Sequence, residues 1–356
     1  MFERIQEKYN NKKIFITGHT GFKGSWFTYI LDSIGAITKG YSLPPITEPS
    51  LYKELNFSKN HQSYNGDVNN FDQLKKEIES FNPEFIFHFA AQPIVLKSYG
   101  DPMETFKTNF NGTLNLLEIM RHLNLNCTSI FITTDKVYLN KEEKRAFSET
   151  DPLGGEDPYS ASKAASEILI NSYYESFFKK SNMKIASVRA GNVIGGGDWS
   201  ESRLIPDIIK YSYQSAPLRI RNSLAIRPWQ HVLEPLFGYL ILAMELSLSP
   251  DKFSGSWNFG PEKNDIKTVE QVVKKSIESG LDLNVKFLNF CNEKEANYLF
   301  LSIDKAKERL NWIPKWNSNC AINKAINWYK NFYLGISAND LIKKDINSYL
   351  KNNEDD

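Results

Sequence analysis

The sequence predicts an α/β fold, in which a doubly wound parallel sheet is combined with a smaller C-terminal α/β lobe. Three observations support this prediction. Short apolar runs typical of buried parallel strands alternate with helical patterns through the first half of the chain. A glycine-rich segment, 18–24, lies between the first strand and the first helix. Polar residues follow the ends of later strands, which is where open parallel sheets bind ligands. Together these features predict a Rossmann-type, dinucleotide-binding sheet.

We expect two interleaved units rather than two domains joined by a linker, because 356 residues can bury a large core and no linker composition interrupts them. Residues 1–188 should form the dinucleotide-binding domain, with sheet elements returning at about 228–247. Residues 189–342 should form the substrate-binding lobe. The charged segment 343–356 should be a frayed tail.

Composition excludes several classes of function. Lys and Arg together number 43 and Asp and Glu 42, so no strongly charged surface for nucleic acid is expected. The first eleven residues are polar, and no run approaches the ~18 apolar residues of a membrane span. We therefore expect a cytoplasmic protein with no membrane partner. Cys127, Cys291 and Cys320 are odd in number and far apart, which predicts reduced structural thiols and no metal site.

Apolar runs and amphipathic periodicity define the elements in order. Leu114, Leu117 and Met120, for example, share one side of a helix. The predicted strands are 12–17, 36–42, 85–89, 129–133, 184–190, 218–221 and 256–259. The predicted helices are 25–33, 71–80, 109–122, 161–178, 204–212, 234–246 and 268–279.

The glycine-rich turn is the first candidate binding site. An ordinary strand-to-helix turn explains one glycine, whereas three at this spacing permit a tight turn, close approach of a pyrophosphate and packing of helix on strand. The turn therefore predicts a dinucleotide cofactor. Its candidate contacts are Gly18, Thr20, Gly21, Phe22, Lys23 and Gly24.

The second strand should indicate which dinucleotide binds. It does not end in the acidic residue that usually contacts the ribose of NAD, and no arginine is placed there for the 2′-phosphate of NADP. We favour NAD, although Lys39 leaves NADP open.

Further cofactor contacts are predicted at the ends of the next strands and at a helix start. Asp67, followed by Val68, is placed either to contact the adenine or to cap a helix. Ala90, Ala91 and Gln92 offer mostly small side chains past which a flat cofactor fits. Asn109 is either a functional amide or a cap.

Tyr159 and Lys163 are the central candidate catalytic pair. Their four-residue spacing places both on one face of a helix that begins at Pro158 with Asp157 as its cap. Tyrosine has a pKa near ~10, so a phenolate base at neutral pH needs a shift of ~3 units, or roughly 4 kcal/mol. The ammonium of Lys163 should supply part of that shift. Such pairs are also common on surface helices, so the prediction depends on neighbouring signals.

Thr134, Asp135 and Lys136 provide those signals. They follow the strand at 129–133, so they point into the same crevice as the glycine turn and Tyr159. A solvated turn is the alternative for Asp135 and Lys136.

Together these residues resemble the extended short-chain dehydrogenase/reductase superfamily, in its nucleotide-sugar branch. Longer segments are similar to the family of CDP-glucose 4,6-dehydratases over nearly the whole chain. These are GHTGFKGSW at 18–26, TDK at 134–136, DPLGG at 151–155, RAGNVIGGGDW at 189–199 and RPWQHVLEPL at 227–236. One segment, 139–150, departs from the Trp- and Arg-containing pattern of that family. Because it should lie beside the active site, the sugar or the nucleotide could differ from CDP-glucose.

The resemblance implies a role for each residue. Tyr159 would take the proton from the sugar 4-hydroxyl, and Thr134 would hydrogen-bond the 4-oxygen. Lys163 would hold the phenolate and the nicotinamide ribose of NAD. Asp135 would be the acid for the departing 6-hydroxyl, and Lys136, once desolvated, the base at C5.

The resemblance also implies a nucleotide-sugar substrate and a homodimer formed through the helices at 109–122 and 161–178. Arg227 is the first candidate for the substrate pyrophosphate, since a guanidinium matches phosphate oxygens in a fork. Asn192 and Arg203 are further candidates, and for all three a structural ion pair or hydrogen bond is the alternative. An epimerase, a decarboxylating relative or a non-catalytic cofactor-binding regulator with the same fold remain alternative functions.

Overall fold

A computed structural model describes residues 1–214, 216–288 and 297–351 of the chain. Among these residues, each of the seven predicted strands is present, and six short strands that were not predicted accompany them. In chain order they are β1 (Lys13–Thr17), β2 (Ile37–Ser42), β3 (His61–Asn65), β4 (Phe85–His88), β5 (Thr128–Ile132), β6 (Lys184–Ala190), β7 (Val193–Ile194), β8 (Leu218–Ile220), β9 (Ile226–Arg227), β10 (Gln230–His231), β11 (Gly255–Phe259), β12 (Lys267–Thr268) and β13 (Val285–Phe287).

The helices connect and cover these strands. They are α1 (Phe2–Tyr9), α2 (Phe22–Ser33), α3 (Leu51–Glu54), α4 (Phe71–Phe81), α5 (Val95–Gly100), α6 (Pro102–Phe106), α7 (Gly112–Leu123), α8 (Pro158–Tyr173), α9 (Leu204–Ser212), α10 (Leu233–Leu248), α11 (Pro250–Phe253), α12 (Val269–Glu278), α13 (Asp304–Leu310), α14 (Ser318–Tyr333) and α15 (Ala338–Lys351). Single π-helical turns, Lys107–Asn111 and Tyr174–Phe178, adjoin α7 and α8, and a 3₁₀ turn, Asp135–Val137, follows β5.

The described residues form a seven-stranded sheet in the order β3-β2-β1-β4-β5-β6-β11, and every pair in it is parallel. Ile14 of β1 pairs with Thr38 of β2 on one side and Phe85 of β4 on the other. The chain direction across the sheet therefore reverses between β1 and β4. Crevices at such switch points, outside the carboxyl ends of strands, bind ligands. The predicted doubly wound α/β fold is confirmed.

Both faces of the sheet are covered, which explains the continuous apolar runs. Ile14 and Ile16 pack in one core with Trp26 of α2, whereas Phe15 between them packs in a second core with Leu117 of α7. Alternate side chains of a strand point to opposite faces, so each strand contributes to both cores.

The second unit is built from short strand pairs, β7 with β10, β8 with β13 and β9 with β12. The chain returns to the sheet later than predicted. The segment expected to return, 228–247, is mostly α10, which packs on β5 and β6, and the strand that joins the sheet is β11. This difference arises because a parallel strand needs a crossover helix before it.

The prediction of a frayed tail is wrong for 343–351, where α15 buries Ile346 and Tyr349 against the rest of the chain; 352–356 lie outside the described residues. The apolar positions of this helix outweigh its many charges. Within the described ranges, no helix is both long and apolar enough to cross a membrane. Cys127 and Cys320 are buried, and Cys291 lies outside the described residues.

Candidate active site

A cavity of about 350 Å³ opens at the carboxyl edge of the sheet, beside the start of α8. It brings together residues from the glycine turn, the end of β5, α8 and the second unit. The predicted site residues that line it are Phe22, Lys23, Thr134, Asp135, Lys136, Tyr159, Asn192, Arg203 and Arg227. The sequence motifs therefore converge on one space, although they are up to two hundred residues apart.

The glycine turn has the shape that a dinucleotide pyrophosphate needs. Gly18 has φ +73°, and a Cβ there would lie 2.6 Å from the backbone nitrogen of Ala90. A Cβ on Gly24 would lie 2.1 Å from the carbonyl oxygen of Gly18. Gly21, by contrast, is exposed at the start of α2, where a Cβ would meet only that same carbonyl oxygen, at 3.5 Å. Packing thus requires the first and third glycines, and the second leaves the helix N-terminus open to an anion.

The end of β2 lies against this turn. The Thr20 hydroxyl donates to the carbonyl oxygen of Leu43 at 2.9 Å and shares a hydrogen bond with Ser42. Lys39, which left NADP open, is ion-paired with Glu77 at 2.5 Å, and its side chain is 12% exposed. This lysine is therefore engaged away from the strand end, which favours NAD.

Two hydrogen bonds decide between the two roles predicted for Asp67, contact with adenine and capping of a helix. The Asp67 carboxylate accepts from the backbone nitrogen of Asn69 at 2.9 Å, while the side chain of Asn70 caps α4. The alternative that Asp67 is the helix cap is therefore wrong, and its contact with adenine stays a prediction. Val68, beside it, is buried.

Asn109 connects the loop after β4 to α8. Its Oδ1 accepts from the backbone nitrogen of Gln92 at 2.8 Å, and its Nδ2 donates to Ser162 Oγ at 2.9 Å. The side chain is fully buried and does not cap α7, which is preceded by Asn111. Asn109 thus positions the loop of Ala90, Ala91 and Gln92, and direct contact with a cofactor stays a prediction.

Tyr159 is buried at the start of α8. Burial raises the pKa of Tyr159 to about 12; the hydrogen bond with Thr134 and the charge of Arg203 oppose this, and Asp135 adds to it. Lys163 Nζ donates to the carbonyl oxygen of Ile132 at 3.1 Å, and burial lowers its pKa to about 8. The prediction that Lys163 brings the tyrosine pKa down is wrong for this structure, because desolvation dominates and the ammonium is directed at a backbone carbonyl.

Asp135 is a buried carboxyl group, not part of a solvated turn. It is 2% exposed, and its Oδ1 accepts from Thr134 Oγ1 at 3.0 Å. Its Oδ2 has no hydrogen-bond partner among the residues that the structure describes. Burial raises the pKa of Asp135, and Lys136, Thr134 and Arg227 oppose that shift. The environment therefore favours a protonated acid whose second oxygen is open to a ligand.

Lys23 was predicted only as a cofactor contact, yet it lines the cavity that Tyr159 lines. Burial, together with the positive charges of Arg203 and Lys163, lowers the pKa of Lys23 to about 7, and Asp135 opposes this shift. A cluster of cations thus surrounds one end of the cavity, which suits a multiply charged anion.

The family model described as GDP-mannose 4,6 dehydratase matches residues 15–324. The chain belongs to this family. It is 42% identical over 348 residues to a CDP-glucose 4,6-dehydratase of Salmonella typhimurium, covering 96% of this chain and 97% of the relative. The resemblance predicted from the motifs is confirmed.

Solved structures share the fold at lower identity. Epimerase Mth375 of Methanothermobacter thermautotrophicus superposes with a TM-score of 0.81 at 20% identity, covering 96% of this chain and 97% of that one. A dTDP-glucose 4,6-dehydratase of Bacillus anthracis, in complex with NAD, gives 0.75 at 22% identity, covering 91% and 98%. Dehydratases and epimerases of nucleotide sugars thus share this architecture.

A buried ion pair that sequence reasoning missed supports the active site of this family member. Arg189 Nη2 of β6 lies 2.9 Å from Glu167 Oε2 of α8, and Thr133 Oγ1 donates to Glu167 Oε1 at 2.5 Å. Arg189 also donates to the Tyr138 hydroxyl at 2.8 Å. The pair therefore joins α8 to the ends of β5 and β6. The available signal was an acidic residue on the Lys163 face of the helix and an arginine within an apolar strand.

The pyrophosphate candidates line the same cavity as Tyr159. Arg227 is buried, and its Nη1 donates to the carbonyl oxygen of Ile226 at 2.9 Å. Arg203 forms an ion pair with Asp198 at 3.0 Å, which is the structural role given above as the alternative to pyrophosphate binding. Its side chain is nevertheless 30% exposed. Asn192 is half-buried in the cavity wall.

The divergent segment, 139–150, is packed away from the cavity. Phe147 is buried, stacks on Tyr138 at 5.0 Å and pairs with Leu301 in a short parallel bridge. Among the described residues that line the cavity, none comes from this segment.

Proposed function

We propose that the protein catalyses the 4,6-dehydration of a nucleotide-activated hexose, with CDP-glucose as substrate and NAD as cofactor. The observation that carries this proposal is Asp135, a buried carboxyl with an unpartnered oxygen in the same cavity as Thr134 and Tyr159. Elimination of water needs such an acid, whereas epimerisation at C4 does not. The 42% identical relative, named a CDP-glucose 4,6-dehydratase, supports the choice of substrate.

The residues present fit NAD. A Cβ on Gly18 or Gly24 would fill the turn, and Gly21 exposes the N-terminus of α2, so the pyrophosphate would lie on the backbone of that turn. Bound there, NAD supplies the acceptor for the C4 hydride and later returns the hydride to C6. The paired Lys39 at β2 leaves no cation for a 2′-phosphate in the middle of that strand.

Tyr159 is the base for the 4-hydroxyl. Because burial holds its pKa at about 12, the phenolate needs nearby groups that favour it. The Thr134 hydroxyl and the Arg203 guanidinium already oppose the effect of burial. Thr134 is also close enough to Tyr159 to orient the same sugar oxygen. Loss of the 4-hydroxyl proton and of the C4 hydride gives a 4-ketone, which makes the C5 proton acidic.

Elimination then needs one base and one acid. Lys136 is the proposed acceptor of the C5 proton, and the electron pair forms the C5–C6 double bond as the C6–O bond breaks. Asp135, whose pKa is raised by burial, gives its proton to the departing 6-hydroxyl, which leaves as water. The C5 proton then returns from Lys136 as hydride is added at C6, which yields the 4-keto-6-deoxy sugar.

Two variants distinguish the proposed acid, Asp135, from the proposed base, Lys136. With CDP-glucose in deuterated water, Asp135→Asn should form the ketone and exchange the C5 proton but release little water. Lys136→Met should neither exchange nor dehydrate. Mass spectrometry follows both events, and binding of reduced cofactor shows that each variant is folded. Full product from Asp135→Asn would remove its assigned role.

The same assay distinguishes the alternatives. An epimerase would convert CDP-glucose into its C4 epimer without loss of mass. A cofactor-binding regulator would bind reduced cofactor and turn over no nucleotide sugar.

We further propose that two copies pair through α7 and α8. Large apolar side chains are exposed on this side of the molecule, with Met103 81% and Ile168 60% exposed, and Phe177 lies on the π turn that extends α8. Such a patch is typical of protein interfaces. Sedimentation should give twice the chain mass, and Ile168→Glu should give a monomer; a monomeric wild-type protein would refute this proposal.

A further inference from the structure

The cavity extends beyond the two arginines to a second end that the mechanism does not use. This end is lined by Asp207 on α9 and by Arg219, Arg221 and Asn222 on and after β8. Asp207 is half-buried in the first turn of α9. Among the residues that the structure describes, no hydrogen-bond donor or ion-pair partner contacts its carboxylate. An acidic residue in a first turn interacts favourably with the helix dipole, but that role does not require a place in a cavity.

Electrostatic influences show which groups of the cavity lie near one another. Arg227 acts on Asp135, and Arg203 acts on Tyr159 and Lys23, so both arginines adjoin the chemical end. The groups that act most strongly on the Asp207 carboxyl form a different set. They are Lys210, Arg221, Glu201 and Asp198.

Asp198 acts on Asp207 and also forms an ion pair with Arg203, so it connects the neighbours of Asp207 with those of the chemical end. Arg203 therefore acts on groups of the chemical end and shares the neighbour Asp198 with Asp207. A nucleotide sugar likewise carries a pyrophosphate between its hexose and its base.

We propose that Asp207 accepts a hydrogen bond from the exocyclic amine of cytosine and thereby selects cytidine over uridine nucleotides. The inference rests on the proposed function, since a hexose held by Tyr159 and a pyrophosphate held by the arginines direct the base to this end. An ionised carboxylate only accepts hydrogen bonds. Cytosine presents an N4 amine donor at the position where uracil presents the O4 acceptor, so a carboxylate attracts one base and repels the other.

The surroundings of Asp207 suit a planar base. Leu218 and Ile220 of β8 are buried, whereas Arg219 between them is exposed and lines the cavity. A guanidinium plane on such an edge can stack on a pyrimidine. Burial raises the pKa of Asp207 to about 6, with Lys210 and Arg221 opposing the shift. The carboxylate is thus mostly ionised at pH 7 but incompletely solvated, which favours a ligand that donates to it.

Titration calorimetry of the NAD-loaded protein with CDP and with UDP tests the inference without turnover. The wild-type protein should bind CDP about tenfold more tightly than UDP, which corresponds to about 1.4 kcal/mol. Asp207→Asn, whose amide can also donate to uracil O4, should reduce that preference about tenfold. Asp207→Ala should reduce it as well.

Glu201→Gln is the matched control, because Glu201 is an exposed carboxylate close enough to act on Asp207 but does not line the cavity. It removes the same charge and should keep the full preference for CDP. The inference is overturned if the wild-type protein binds both nucleotides equally, or if Asp207→Asn keeps the wild-type preference. Loss of preference in Glu201→Gln would also overturn it, since general charge would then be the cause.

Failure of the proposed function has a different signature. In that case no nucleoside-diphosphate glucose loses water, whether or not CDP is preferred. A catalytically active protein without base preference would refute the role of Asp207 alone.

Discussion

The two ends of the cavity are built differently. The chemical end stands on regular elements, namely the carboxyl ends of β5 and β6 and the first turns of α8, and Asp135 and Lys163 there are almost fully buried. The nucleotide end stands on α9 and a three-residue strand, with Arg219 and Arg221 exposed. Burial raises the pKa of Asp135 and Tyr159 at the first end and of Asp207 at the second, but Asp207 is only half-buried and its neighbours Arg219 and Arg221 are exposed. We therefore propose proton transfer at the buried end and selection of the nucleotide at the more exposed end.

The largest expected effect is at the chemical end. Tyr159→Phe should lower kcat by about 10³-fold, because it removes the group that takes the 4-hydroxyl proton. Steady-state turnover of CDP-glucose measures this, and CDP binding should be unchanged because the base end is intact. Tyr174→Phe, at a half-buried position further along the same helix, is the control and should keep wild-type turnover. Equal turnover of both variants would contradict the role of Tyr159.

The second effect tests whether the chemical end depends on its buried ion pair. Glu167→Gln leaves the Arg189 guanidinium buried without its counter-charge, so the free energy of unfolding should fall by about 3 kcal/mol. Denaturant titration measures this change. Glu143→Gln, which breaks a pair with Arg145 of similar length at the surface, should leave stability unchanged within error. A comparable loss in both variants would show that burial does not distinguish the two pairs.

The smallest effect concerns stability at the nucleotide end. Asp207 has a pKa of about 6 in the folded protein and an ordinary value of 3.8, so the folded state binds more protons between these values. Its contribution to stability therefore falls as pH rises through that window. Asp207→Asn should be more stable than wild type at pH 7, by less than about 1 kcal/mol after allowance for solvent screening, and this gain should shrink at pH 5. Denaturant titration at both pH values measures the difference, and a gain that grows toward pH 5 would contradict the sign.

The chemical end was predictable because its signals are local. Tyr159 and Lys163 share one helix, Thr134 and Asp135 share one turn, and a parallel sheet brings both to one edge. Burial was not predictable from spacing. It makes Asp135 a better acid candidate than the motif alone suggested, and it reverses the expected shift of the Tyr159 pKa.

The nucleotide end could not be predicted in the same way. β8 pairs with β13, about 67 positions later in the chain, as Leu218 with Val285 shows. Strands of two or three residues give no periodic signal, so neither Asp207 nor its neighbours stood out. The prediction of a frayed tail was wrong for a related reason. Only the tertiary contacts of Ile346 and Tyr349 show that α15 is packed against the rest of the chain.

Lys23 belongs both to the proposed cofactor site and to the proposed substrate site. It belongs to the turn that would hold the cofactor pyrophosphate, yet its ammonium faces the substrate cavity beside Arg203 and Asp135. An anion bound in either site should raise the pKa of this amine. The other site would then face a larger positive charge. We therefore expect the binding of dinucleotide and of sugar nucleotide to be thermodynamically linked, so that by reciprocity each alters the affinity of the other by the same factor.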